Sequence, residues 1–263
     1  MSAQSTPPIG WVLRLRSWRN AASLRIAAGI RVSRGVYVET PGVELQPQPP
    51  ARAARIAALR ERYGATFESW LARPTSLNNY AYLDLLDRSF SAAASAPPVA
   101  AVMSDVGCAS FWYASALQVY FRPAALTGFD VEAWRRYANG HTRREYAQGY
   151  AGRWPATSFR GEDYRGVHQP ADLITCFYPF LTAAPLVAWG LPIKLLKPKE
   201  LFASMARNLR PGGGLFMVNH GPAEAEMAGQ VARAAGFCPS WSYTEADPLL
   251  ARPQCPVASY WRR

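Results

Sequence analysis

The sequence predicts an α/β fold built on a largely parallel sheet, and three observations predict it. First, an apolar run over residues 99–105 ends in Asp105-Val106-Gly107-Cys108, where a small-residue turn opens a helix. A buried parallel strand passes its chain to a ligand-binding loop in this way. Gly107 can adopt backbone angles closed to other residues, and Asp105 at the strand edge is expected to point into the crevice where open α/β sheets bind ligands. Second, from residue 98 onward short strand-like runs alternate with helical segments, the pattern of a parallel sheet covered on both faces. Third, the chain closes in Cys238–Tyr243 and Pro256–Trp261, which read as an antiparallel pair.

Taken in order, residues 1–50 form a basic N-terminal segment. Trp11, Leu15, Trp18, Ala22 and Ile26 recur at spacings of three and four, edged by Arg14, Arg19 and Arg25. This predicts a helix packed on the main domain, with peripheral contact to an anionic membrane as a second reading. Ile30–Val32 and Val36–Val38 alternate around Ser33-Arg34-Gly35, a pattern that predicts a short hairpin. Gln46-Pro47-Gln48-Pro49-Pro50 is a stiff linker, and residues 51–97 read as a helical extension with helices near 51–63, 66–73 and 76–93. Ser95-Ala96-Pro97-Pro98 breaks the chain before the main domain, 98–263. There, strands are expected near 99–105, 126–130, 157–161, 172–176 and 215–218, with helices near 110–120, 131–149, 199–209 and 223–235.

Composition narrows the function classes. A chain of 263 residues with 49% hydrophobic and 18% charged residues can bury a substantial core, and no long uncharged apolar run marks a membrane span. Cys108, Cys176, Cys238 and Cys255 lie far apart without a CxxC pair, as expected of reduced thiols in a cytoplasmic protein, and no metal site is expected. The net charge is +11, and residues 1–62 hold ten Arg against three Glu. Nearly all the positive charge is Arg and no nucleic-acid motif accompanies it, so nucleic acid is a less favoured partner.

Three acidic positions follow strand ends in sequence: Asp105, then Asp130 in Gly128-Phe129-Asp130, then Glu162 and Asp163 after Gly161. An acid at the end of the second strand is placed to accept hydrogen bonds from a ribose while the first loop cradles the rest of a nucleoside. With DVGCASFWYASAL, LTGFD, FRGED, ADLITCFYPFL and LRPGGGLFMVNHG in this order, residues 99–263 resemble the class I S-adenosylmethionine-dependent methyltransferases. The resemblance implies a Rossmann-like seven-stranded, mostly parallel sheet with an antiparallel last strand, here with a mainly helical N-terminal extension. It implies S-adenosyl-L-methionine as cofactor, with Asp105, Gly107 and Ala109 at its methionine part, Cys108 among the cofactor-binding residues, Asp130 at the ribose, Glu162 or Asp163 at the adenine, and Phe177 beside the reacting centre.

Two departures stand out. Ala109 and Phe111 occupy positions where the family loop repeats glycine. Ala109 adds one methyl, which is often tolerable in a turn with negative φ, and Phe111 implies either a different loop course or a lost binding function. Where amino-methylating relatives carry Asn-Pro-Pro-Tyr, this chain has Phe177-Tyr178-Pro179-Phe180. The candidate catalytic groups are His220, Tyr178 and His141. The expected activity is methyl transfer to a small-molecule acceptor. The alternatives are an inactive binding or scaffold protein, a nucleic-acid methyltransferase and, disfavoured by the lack of GxGxxG, an NAD-dependent oxidoreductase.

Overall fold

In the computed structural model, which describes residues 10–42, 44–45 and 47–263, the strands assemble as the alternation predicts. The first nine residues of the basic segment and Gln46 of the linker lie outside the described residues. Strands β1 (Val102–Val106), β2 (Ala125–Phe129), β3 (Thr157–Arg160), β4 (Ala171–Phe177), β5 (Leu209–Asn219), β6 (Cys238–Thr244) and β7 (Val257–Arg262) form one sheet in the order β3-β2-β1-β4-β5-β7-β6. Neighbours β1 to β5 pair in parallel, whereas β7 inserts antiparallel between β5 and β6.

Alternation along each strand divides the core between two faces. Met103, Leu126, Leu173, Phe216 and Val218 point to one, and Val106, Ile174, Leu215 and Met217 to the other. Helices α7 (Pro198–Asn208) and α8 (Pro222–Ala234) cover the second face, burying Phe202, Met205, Ala228 and Ala232. The first is covered by α4 (Ala114–Phe121) and by α2 (Pro50–Tyr63) and α3 (Arg73–Ala92) of the N-terminal extension. The extension therefore shares one core with the sheet. Phe90 stacks on Phe216 and meets Tyr120, Trp241 and Tyr260, joining α3 to strands β5, β6 and β7.

Several local expectations need correction. The two helices expected over 66–93 are a 3-10 turn, Phe67–Ser69, followed by α3 alone. The long helix expected over 131–149 is only α5 (Arg143–Ala151), because Asn139-Gly140 turns the chain, with φ +83 at Gly140. Thr142 then starts the helix as half of a capping box with Glu145. The hairpin expected over 30–38 is absent, since no strand forms there. Instead the chain runs extended across α5. Ser33 Oγ donates to Glu145 Oε1 at 2.6 Å, the Arg34 amide donates to the same oxygen, and the Tyr37 amide donates to the Glu145 carbonyl at 3.1 Å. Gly149 permits the approach, because a Cβ there would lie 1.9 Å from the Tyr37 carbonyl oxygen. Ahead of this strap, α1 (Trp11–Gly29) lies on α6 (Ala183–Trp189), a short helix that follows the Pro-rich β4 connection.

Candidate functional site

A cavity of about 390 Å³ opens at the C-terminal edges of β1, β2 and β4, where the chain order reverses direction in the sheet. Its size falls within the ~300–1,000 Å³ of small-molecule sites. Gly107, Cys108 and Ala109 form one side, Asp130 the next, and Glu162 with Asp163 the far wall. Phe177, Tyr178 and His220 close the other end.

The loop after β1 has left-handed backbone at alternate positions: φ is +79 at Gly107, +52 at Ala109 and +57 at Phe111. Ala109 thus takes a positive φ rather than the negative φ in which its methyl is easily tolerated. The loop follows a glycine-type course although two of the three residues carry a Cβ, each left-handed non-glycine residue costing ~1–3 kcal/mol. Hydrogen bonds hold this course. The amides of Gly107 and Cys108 donate to the Phe129 carbonyl at 2.9 and 3.2 Å, and the Ala109 amide donates to Asp130 Oδ2 at 2.9 Å. A Cβ on Gly107 would meet open space, so its main chain fronts the cavity.

Phe111 does not enter the cavity. Its ring is fully buried in the core, in the room left by Gly128, where a Cβ would lie 2.8 Å from the ring. The bulky residue in the loop and the glycine in β2 compensate each other, and the cleft stays open.

Asp130 sits just past β2, partly exposed, with Oδ1 accepting from the Glu132 amide at 2.7 Å. Burial pushes its pKa up to about 6, against the pull of those backbone donors. Each of its oxygens keeps a lone pair for a further donor. Asp163 accepts from the Arg165 amide and guanidinium. Burial raises its pKa, but those bonds outweigh it and leave the carboxyl below its ordinary value. Glu162 is exposed and paired with Arg160 at 2.8 Å.

Asp105 does not border the cavity. It is wholly buried behind the wall, accepting from Tyr113 Oη at 2.7 Å and Thr175 Oγ1 at 2.5 Å. Burial pushes it up to about 7. Its partner Tyr113 lines the cavity, its ring stacked on Tyr82 at 4.3 Å and edge-on to Phe177 at 5.1 Å. His141 stands outside the cavity as well, with Nδ1 3.4 Å from Glu145 Oε2 and its ring against Tyr37 beneath the strap. The other two catalytic candidates come together: Tyr178 and His220 stack at 4.3 Å, and the Arg252 guanidinium lies over the Tyr178 ring at 5.3 Å from its centroid.

Tyr82, Trp189 and Arg252 also line the cavity and were not found from the sequence. Tyr82 lies off the apolar stripe that marks α3, and Arg252 sits in an irregular loop, so neither carries a periodic signal. Among the described residues no group of His, Cys, Asp and Glu is arranged to hold a metal ion.

The strand order, with a reversed β7 inserted beside β5, can now be set against known structures. The N-methyltransferase NodS from Bradyrhizobium japonicum WM9 superposes with a TM-score of 0.50 at 15% identity, over 71% of this chain and 96% of NodS. The chain has the class I methyltransferase fold. NodS in complex with S-adenosyl-L-homocysteine matches at 17% identity over 80% of this chain and 98% of that one, with a TM-score of 0.48. Magnesium protoporphyrin IX methyltransferase from Synechocystis PCC 6803 with bound SAM matches at 10% identity over 98% and 100% of the chains, with a TM-score of 0.46. No protein-family model matches the sequence, and no curated protein does.

Proposed function

We propose that this chain is an S-adenosylmethionine-dependent methyltransferase acting on a small molecule. One observation carries the reading: the loop 107–111 keeps alternate left-handed residues and an open face beside Asp130, at the rim of a cavity of nucleoside scale. The residues present fit the cofactor. Asp130 retains acceptor capacity for ribose hydroxyls, the Gly107–Ala109 main chain lets the methionine part approach, and Glu162 and Asp163 border the adenine end. Bound cofactor supplies a methyl group on a sulfonium, transferred by in-line displacement.

The acceptor occupies the end of the cavity bounded by Tyr82, Tyr178, His220 and Arg252. Aromatic faces there suit a flat or apolar body. Arg252, which forms no ion pair among the described residues, suits an anionic group on the same molecule. His220, held flat against Tyr178, takes the proton that the acceptor oxygen or nitrogen loses as it gains the methyl group.

Calorimetric titration with S-adenosylhomocysteine tests the reading. The wild type binds it, and Asp130→Ala weakens binding at least ~10-fold, the loss of charge-assisted bonds to both hydroxyls. Because Asp130 titrates near 6, affinity is expected to hold at neutral pH and to fall as pH drops below that value. Absence of binding by the wild-type chain would reject the proposal.

A further inference from the structure

Helix α1 carries apolar residues on two sides. Leu13 and Leu24 are partly buried on the side that meets the protein, and the one fully buried residue there is polar: the Asn20 amide donates to the carbonyls of Val187 at 3.0 Å and Leu191 at 3.1 Å. Ser17 Oγ, one turn earlier, accepts from the Ile193 amide at 2.9 Å. These contacts pin the helix to α6 and the turn after it. The opposite side carries Trp11, Leu15, Trp18, Ala22 and Ile26, and the two tryptophans are 76% and 71% exposed. Arg14, Arg19 and Arg25 flank this stripe, Arg16 is exposed beside it, and none of the four forms an ion pair among the described residues. No acidic residue occurs in residues 1–37.

We infer that this face docks the protein on an anionic lipid bilayer. Exposed tryptophans between apolar neighbours and arginines are the composition that settles at the lipid headgroup level, with rings in the interface and guanidinium groups on phosphates. The charge selects this occupant over the others. A second copy of the face would set arginines against arginines, and the aliphatic Leu15 and Ile26 offer nothing to a nucleic acid, whose bases stack on aromatic planes. Among the described residues no helix is long and apolar enough to cross a membrane, so α1 lies on the surface rather than spanning it. The polar anchor explains the arrangement: Asn20 and Ser17 fix α1 by hydrogen bonds and leave its apolar side free for lipid. Leu186, Trp189 and Leu191, in the segment that holds α1, also line the cavity, which sets the docked bilayer one helix away from that wall.

The full chain is sedimented with vesicles of phosphatidylcholine alone and of phosphatidylcholine mixed with phosphatidylglycerol, with tryptophan emission followed in parallel. Binding to the mixed vesicles is expected, with a blue shift in emission and release at high salt, as the Debye length shrinks from ~8 Å at 0.15 M to ~3 Å at 1 M. Trp11→Ser with Trp18→Ser removes the blue shift and weakens binding at least ~10-fold. Each of Arg14→Gln, Arg19→Gln and Arg25→Gln weakens it ~5-fold. These side chains are exposed, so the unfolding midpoint of the variants stays that of the wild type, which separates lost docking from lost folding. Equal binding to both vesicle types, or to neither, overturns the inference. So does a wild-type dimer that the double tryptophan variant dissociates, or retention of single-stranded RNA that the same variant abolishes.

Discussion

Replacing Phe111 by glycine sets two effects of opposite sign against each other. Glycine relieves the left-handed backbone at φ +57, a gain of ~1–3 kcal/mol. It also removes a fully buried phenyl ring from between Gly128, Cys108 and Tyr113, a loss of ~3–5 kcal/mol with the cavity left behind. Added chain entropy in the unfolded state loses a further ~0.5–1 kcal/mol. Packing wins, and the net destabilisation is ~0.5–5 kcal/mol. At ~2 °C per kcal/mol for a chain of this size, the thermal midpoint drops by ~1–10 °C. Gly128→Ala isolates the coupling. In the wild type its methyl would lie 2.8 Å from the Phe111 ring, an overpacking loss of ~1–3 kcal/mol. In the Phe111→Gly background the ring contacts are gone and only the Cys108 Sγ contact at 2.9 Å remains, so a double-mutant cycle by denaturant unfolding should give a coupling of ~1–2 kcal/mol. An unchanged or raised midpoint for Phe111→Gly, or strictly additive substitutions, would refute the placement of Phe111 in the core.

Two further predictions concern the strap over α5. Burial alone would raise the Glu145 carboxyl, but hydrogen bonds from Ser33, Thr142 and the Arg34 amide outweigh it and lower its pKa from 4.5 to about 2. A depressed folded-state pKa contributes stability that is whole above the unfolded value and lost as pH falls through the folded one. The wild type should therefore lose stability between pH 4.5 and about 2, while Glu145→Gln is less stable at neutral pH and flatter over that window in urea titrations. Gly149→Ala places a methyl against the Tyr37 carbonyl and should lift the strap, reducing stability by ~1–3 kcal/mol and exposing residues 30–40 to limited proteolysis. Proteolysis unchanged from the wild type would show that the strap tolerates the added carbon.

The architecture was legible because its signals are local. Strand runs such as Leu215–Val218 are continuous and apolar, and Asp130 and Asp163 stand just beyond strand ends that hydrophobic patterning marks within a residue or two. Errors arose where the pattern was weak or a distant partner intervened. Residues 131–142 look helical in composition, but Asn139-Gly140 and the Thr142 cap delay the helix. Residues 30–38 alternate like a hairpin, yet Glu145, more than a hundred residues away, draws them across α5.

By itself, then, the amino-acid order determined the strands and most helices of the main domain, and that a glycine-type loop and three acidic positions follow one another along a parallel sheet. Periodicity and turn chemistry act between near neighbours, so these features can be read residue by residue. Only the tertiary structure decided that Phe111 turns inward against Gly128, that Asp105 is buried behind the wall against Tyr113, and that His141 lies beneath the strap while Tyr82 and Arg252 join the cavity. It also decided which side of α1 meets the protein, because Asn20 finds its carbonyl partners on a segment some 170 residues along the chain. Contacts of that range depend on how closed elements pack in space, and no local pattern encodes them.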